Sequence, residues 1–253
     1  MKLNEIWQLR GILSTAFRSP NIDDLSKIRI NSTEITFPNL NLTPERSRNA
    51  ELTVATRGMA FINMSLTGFF TQLKNAIIRR PFFGPNGESL WENQGETLTI
   101  VGNQNVQKGR IWGISFMVNG TIGAHFNWDS SINYTKGQEL NDNGENLPLA
   151  HIPPVYGRTK LGFKLDNLAI QSIFRYNMSK DISQFGGTAD NPDLATPKGA
   201  LGWHTWNLYT ELTLNNMSFS LGLENILDSH YRLFASGVSA PGRNLIFSVR
   251  GNL

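Results

Sequence analysis

The chain has 253 residues and no cysteine, and its Lys+Arg count of 23 against Asp+Glu 20 leaves a formal charge of +3. This weak balance, with no basic block, excludes a nucleic-acid grip, which needs a basic stripe or face. Charged residues are 17% of the chain, below the roughly 25% usual in soluble domains, yet no run of about 18 apolar residues announces a membrane helix.

The dominant signal is a two-residue apolar/polar period, the mark of a strand whose faces meet different surroundings. Residues 5–17 place Trp7, Leu9, Leu13 and Phe17 opposite Gln8, Arg10 and Ser14. A long loop with Pro20 and Pro38 follows, to about Thr43. Residues 46–57 resume with Ala50, Leu52 and Val54 opposite Asn49, Glu51 and Thr53, and Gly58-Met59 reads as a tight turn. Residues 60–78 carry Ile62, Met64, Leu66 and Phe70 on one face. A second long loop, rich in Pro and Gly, is expected from about Arg79 to Asn105. Residues 106–119 align Trp112, Ile114, Phe116 and Val118, and Asn119-Gly120 is a strong hairpin signal.

Residues 123–136 then set Phe126, Trp128, Ile132 and Tyr134 opposite His125, Asn127, Asp129 and Asn133. After a polar loop to Pro153, residues 154–165 carry Leu161, Phe163 and Leu165, and Asp166-Asn167 turns into residues 168–179, with Ile170, Phe174 and Tyr176. A loop from about Lys180 to Gly202 precedes residues 203–214, with Trp206, Leu208, Leu212 and Leu214, and Asn215-Asn216 turns into the closing hairpin. There Leu221, Leu223 and Leu227, then Leu245, Phe247, Val249 and Leu253, keep the period to the last residue.

Short and long connections alternate strictly: the short ones have roughly two to four residues, the long ones roughly 15 to 27. In an up-and-down antiparallel sheet this puts every long loop on one side, as in outer-membrane barrels with short periplasmic turns. Strands of roughly 10 to 14 residues fit a tilted span, which needs about 9–11. Trp7, Phe17, Trp112, Trp128, Tyr134, Tyr176 and Trp206 suit interfacial girdles. In the plainer alternative, a soluble β-sandwich, they are core aromatics, but the opposite faces are too polar for a second packed layer. The expected fold is all-β, an antiparallel up-and-down transmembrane β-barrel wall of about ten strands. The start, Met1 to Trp7, lacks the apolar core and cleavage site of an export signal. The expectation is therefore a piece of a longer exported chain, or else a protein of another class.

Ala16-Phe17-Arg18-Ser19-Pro20-Asn21, Pro38-Asn39-Leu40-Asn41-Leu42-Thr43-Pro44-Glu45 running on to Asn49-Ala50-Glu51-Leu52, Glu224-Asn225-Ile226-Leu227-Asp228-Ser229-His230-Tyr231, and Pro241-Gly242-Arg243-Asn244 come in that order along the chain. Together they resemble the carboxy-terminal barrel of TonB-dependent outer-membrane receptors, most in the style of Bacteroidetes-type bacteria. The resemblance implies residues 1–253 are the last ten strands of a 22-stranded barrel, with the plug and first strands missing. It implies a receptor in the bacterial outer membrane for energy-coupled uptake of a scarce nutrient, such as a ferric siderophore or other metal chelate. Its implied partners are outer-membrane lipid, the missing plug and amino-terminal strands, an unknown small ligand, and an inner-membrane TonB-type complex reached through an absent amino-terminal segment. Two positions depart from the family pattern: Ser115 stands where a lumen carboxylate is common, and Leu253 where Phe or Trp usually ends the chain.

No catalytic residue, metal ligand or cofactor motif is identified. His125, expected to face the lumen, and His151, His204 and His230 share no metal-ligand spacing. Arg10, Glu51, Asp129, Arg158, Lys160, Arg175 and Glu211 are expected on the lumen face. The candidate ligand-binding set is Arg79, Arg80, Phe82, Phe83 and Trp91, a basic and aromatic external loop that could grip an anionic chelate, the plainer and favoured reading being an ordinary solvated loop with rim aromatics. The alternative is a self-closed ten-stranded outer-membrane enzyme, protease-like and using Asp190, Asp193 and His204, or a passive pore.

Overall fold

The computed structural model describes residues 3–56, 59, 61–140 and 144–251. Gly58 of the expected turn and the terminal Leu253 lie outside the described residues. In chain order, β1 (Trp7–Arg18) leads to α1 (Ile22–Ser26), β2 (Arg29–Ile30) and β3 (Glu34–Phe37). Then come β4 (Glu45–Thr56), β5 (Ile62–Pro81), β6 (Leu90–Asn93), β7 (Glu96–Ile122), β8 (Phe126–Leu140) and β9 (Asn146–Pro148). β10 (Tyr156–Leu165) and β11 (Leu168–Asn177) form a hairpin. β12 (Lys180–Asp181) and β13 (Gly199–Ala200) flank three short 3-10 turns, and β14 (Trp203–Leu214), β15 (Met217–Glu224) and β16 (Asn244–Gly251) close the chain.

Ten of these strands form one meander in the order β1-β4-β5-β7-β8-β10-β11-β14-β15-β16, every neighbour antiparallel. Five long connections, following β1, β5, β8, β11 and β15, all leave from the same rim. The two outer strands do not meet: β1 pairs with β4 alone and β16 with β15 alone among the described residues. The sheet is therefore an open wall, and these ten strands do not close on themselves.

Register carries the two-faced pattern across the whole sheet, because directly opposed residues share a face. Leu52 opposes Gly11 and Gly68, Leu66 opposes Phe116, Phe116 opposes Ile132, Trp128 opposes Leu161, and Phe174 opposes Trp206. On the other face Thr53 opposes Thr67, Ser115 opposes Asn133, Lys160 opposes Asp129, and Glu211 opposes Ser220. The apolar face is bare: Leu13 is 86% exposed and Phe17 77%. Total accessible area is 16557 Å², where a compact monomer of 28.3 kDa has roughly 11,000 Å². An excess of that size means the strands have no second layer, which excludes the sandwich. Hydrocarbon is the surrounding in which a bare apolar face is stable, and its polar partner then lines a lumen.

Three local expectations are corrected. Residues 79–105 are strand for the most part rather than loop: β5 and β7 stay paired out to Pro81 opposite Val101. With 20 and 27 residues, both overrun the about 9–11 needed to span and stand out beyond the membrane. The extension is stable because β3 adds to β7 in parallel, Ile35 opposite Ile100, while β6 pairs with β7 through Trp91 opposite Leu98. Ile35, Leu98 and Ile100 form a small buried core, with Phe37 and Phe82 packed on it. Second, Asn119 and Gly120 are strand residues opposite Asp129 and Trp128. The turn lies three residues later, at Gly123, where φ is +64°. Third, His125 sits in that turn rather than on the lumen face, its ring Nδ1 2.9 Å from the Lys164 carbonyl.

Candidate functional site

On the rim of long connections, polar and charged side chains gather into two clusters. The first lies over β1 to β7. Asn21 caps α1 in a reciprocal box with Asp24, and Arg18 bridges Asp24 and Glu45. Glu45 also accepts from the Ile77 backbone N–H at 2.6 Å. The Phe-Arg-x-Pro-like and Pro-Glu segments of the sequence are thus two halves of one clamp at the membrane rim.

This cluster holds the predicted ligand-binding set, with its charges already committed. Arg79 donates to Glu34 at 2.8 Å and Arg80 to Glu139 at 2.7 Å. Phe82 packs on the Ile35/Leu98/Ile100 core, and the Trp91 ring meets Phe37 edge-on at 5.4 Å. Phe83 is the more exposed of the two exposed aromatics in the set, at 66% against 37% for Trp91. Sequence reasoning missed Glu34 and Glu139 because they stand 45 and 59 residues from the arginines they neutralise. The structure therefore brings Arg79, Arg80, Phe82 and Trp91 into one lobe as its mortar.

The second cluster, of which the sequence reading had named Asp190 as part of a hydrolase alternative, joins the third, fourth and fifth long connections over β8 to β16. Its centre is Asp190, 2% exposed. Asp190 accepts from the backbone N–H groups of His151 and Gly186, each at 2.7 Å. The Lys180 ammonium lies 4.0 Å from the same carboxylate, donates to the Ile152 carbonyl at 2.6 Å, and sits 4.1 Å from the Phe234 ring centroid. Burial pushes the Lys180 pKa below the ordinary lysine value, and Asp190 opposes that shift. Phe185 meets Phe234 edge-on at 5.1 Å. The connections touch so closely that an added Cβ at Gly186 would lie 2.1 Å from the Ala150 nitrogen. Beside this knot is a cavity of about 260 Å³, whose walls include Phe185, Leu194, Trp203, Tyr231, Arg232 and Phe234.

The fifth connection is folded by its own motif. Asn225, with φ +46° and 3% exposed, donates from its side-chain amide to the carbonyls of Ser229, 2.9 Å, and Pro241, 3.3 Å. Its backbone N–H donates to Asn207 at 2.7 Å. Asp228 accepts from the Arg243 N–H at 2.8 Å. The Asn-x-x-Asp-x-x-Tyr spacing thus ties both ends of the loop together above the last hairpin.

The inner wall below is a hydrogen-bonded polar surface. Arg158 donates to Asp129 at 3.0 Å, Ser115 to Asn133 at 2.7 Å, and Tyr209 to Glu224 at 2.6 Å. Arg10, Glu51, Lys160, Arg175 and Glu211 occupy inward register positions beside them. The hydrolase constellation is not assembled. Asp190 is consumed by the knot, while His204 opposes Tyr176 on the outward face and its ring lies 5.7 Å from Phe174. Among the described residues no three His, Cys, Asp or Glu side chains converge as metal ligands.

An apolar outer face, a polar inner face and elaborated connections on one rim define the wall of a bacterial outer-membrane β-barrel. A profile of the family described as TonB dependent receptor-like, beta-barrel, matches residues 2–226, and the chain belongs to that family of non-enzymatic outer-membrane receptors. It is 26% identical over 204 residues to the iron-regulated outer membrane virulence protein of Vibrio cholerae serotype O1 (Classical Ogawa 395), covering 77% of this chain and 30% of that protein. The same protein from the El Tor Inaba strain is 24% identical with the same coverage. The expectation of a Bacteroidetes-type source finds no support in these Vibrio relatives. Similar solved structures include the copper transporter OprC, TM-score 0.72 at 17% identity over 96% of this chain and 38% of that one. The siderophore receptor PirA from Pseudomonas aeruginosa follows, TM-score 0.68 at 18% identity over 98% and 40%. The chain spans under a third of the length of the curated relatives it matches.

Proposed function

We propose that this chain is the carboxy-terminal barrel wall and part of the outer mouth of a receptor that imports a ferric siderophore or a similar metal chelate. The carrying observation is the open wall itself: a lipid-type face outside, a polar lumen face inside, and two outer strands, β1 and β16, that do not pair with each other among the described residues. Unpaired backbone cannot face hydrocarbon, so further strands complete the cylinder and a plug covers the polar inner wall. Energy enters through that plug from an inner-membrane TonB-type complex. The iron-regulated curated relatives and the siderophore-receptor fold neighbours support the ligand class. At the first cluster, Phe83 and the open part of Trp91 offer contact, while Arg79 and Arg80 shape the lobe rather than supply free charge.

The test is uptake of radiolabelled ferric siderophores by cells carrying the intact gene, with and without a functional TonB complex. Saturable uptake that vanishes without TonB is expected. Transport that persists without TonB, or diffusion of unrelated solutes at equal rate, overturns the proposal in favour of a passive pore. Phe83→Ala is expected to raise the half-saturating chelate concentration several-fold, and Arg79→Ala to lower the amount of folded receptor instead.

A further inference from the structure

We infer that the outward face of β4 to β8, just above the apolar band, is a binding site for a phosphorylated glycolipid of the outer leaflet. The register gathers a block of basic side chains there. Going outward from the band, Trp112 opposes Lys136, and next Arg48 and Arg110 flank Gln72. One row further, Arg46, Lys74 and Lys108 stand directly opposite one another on three adjacent strands. All six cations are exposed, and none forms an ion pair among the described residues. From the short turns up to this last row, the outward positions of β1, β4, β5, β7 and β8 hold no carboxylate. The whole chain carries a formal charge of only +3, so the patch reflects a separation of charge rather than a basic composition.

Like charges directly opposite in a ladder destabilise a sheet. The row of Arg46, Lys74 and Lys108 therefore works against its own sheet unless an anion lies over it. Strands about 4.8 Å apart make this row about 10 Å long, the reach of a headgroup with two phosphates rather than of one small ion. Guanidinium forks take phosphate oxygens in pairs, and the lysines add compact point charges. The Gln72 amide between them can donate to phosphate or sugar oxygens. Depth assigns the source of the phosphate. Phe70 and Trp112 close the apolar band as an opposed pair, and tryptophan marks the headgroup level. The Lys136 ammonium lies 5.9 Å from the Trp112 ring centroid. At about 3.4 Å per residue and a tilt of about 40°, the rows of Gln72 and Lys74 stand roughly 5 and 10 Å above Phe70. That is the layer of headgroups, beyond the acyl chains and outside the lumen. The outward faces of β10 to β16 hold no Lys, Arg, Asp or Glu among the described residues. The cations thus form a site on one flank of the wall and not an even belt around it.

The experiment uses the intact receptor, stripped of lipid and held in uncharged detergent. The probes are diphosphoryl lipid A, phosphatidylglycerol and inorganic phosphate, with binding read by native mass spectrometry and thermophoresis. The unmodified protein is expected to bind lipid A at least tenfold more tightly than phosphatidylglycerol, and less tightly as salt is raised. The triple variant Arg46→Gln, Lys74→Gln, Lys108→Gln is expected to weaken lipid A at least tenfold. The same charge loss elsewhere, Lys27→Gln, Lys164→Gln, Lys198→Gln, should leave it unchanged. Without lipid the row variant should unfold at a higher temperature than the unmodified protein, because the repulsion is gone, and lipid A should reverse that order. Equal affinity for lipid A and phosphatidylglycerol means a generic anionic surface and overturns the site. Inorganic phosphate binding as tightly as lipid A means a free-ion site and overturns the lipid assignment. Unchanged lipid A affinity in the row variant overturns the assignment to these residues. The comparison of probes needs no variant, so a misfolded mutant leaves the test intact. The inference rests on the outer-membrane wall and not on the chelate reading, and lipid A binding and TonB-dependent uptake can fail separately.

Discussion

Replacing Asp190 with Ala should open the second cluster without unfolding the barrel. The side chain is fully buried and holds two backbone N–H groups from two different connections, His151 and Gly186, at 2.7 Å each. Each buried donor left without an acceptor costs about 1–3 kcal/mol. Removing one partner of a buried ion pair costs about 3–5 kcal/mol, since Lys180 then stands uncompensated. These costs overlap, so the expected loss is about 3–5 kcal/mol rather than their sum. It falls on local opening, because the strands below keep their ladder. At about 1.4 kcal/mol per factor of ten, opening rises by roughly two to three and a half orders of magnitude. Hydrogen exchange read by mass spectrometry on segments covering 149–155 and 182–190 is the assay, with the β10–β11 hairpin as internal reference. Protection reduced less than tenfold in those segments, or reduced equally in the reference hairpin, would refute the account of Asp190 as a local staple.

Three further outcomes are expected. Leu52→Arg, on the lipid face, should cost about 2–4 kcal/mol of folding into lipid vesicles if Leu52 lies near midplane, whereas Glu51→Arg, one residue away on the lumen face, should cost far less; denaturant titration compares them. Asn225→Ala should free the carbonyls of Ser229 and Pro241 and lose a residue suited to its positive φ, so protease should cut the fifth connection at least tenfold faster. Lys180 has its folded-state pKa held below the ordinary 10.5 by burial. The unfolded segment then binds more protons, so stability of the second cluster should rise with pH as it approaches 10.5. Proteolysis of the fourth connection across that window, with Lys180→Met expected to flatten the trend, is the check.

The inner and outer faces were legible because a strand's side chains alternate with a period of two, a property of consecutive residues. Leu66, Phe116 and Ile132 could be assigned to one face before any pairing was known, and the register then joined them. Strict alternation of short and long connections likewise yielded the ten-strand meander, and Asp166 and Asn215, both with positive φ, turned where their residue types said they should. Asn119-Gly120 misled because a strong turn dipeptide can still be held in a ladder by strands on both sides.

Only the tertiary structure decided what stands on the rim. Arg79 and Arg80 looked like free charge until Glu34 and Glu139 came to them from other connections. Thr99 to Gly102 looked like loop until β3 paired with it in parallel. Lys180, Asp190, Trp203 and Arg232 carried no local pattern at all. Alternation is written between neighbours in the chain, so sequence alone determined the wall. The contacts that join one connection to another, such as Arg79–Glu34, Arg80–Glu139, His151–Asp190 and Lys180–Ile152, span 28 to 59 residues, and no local period records which distant group will arrive.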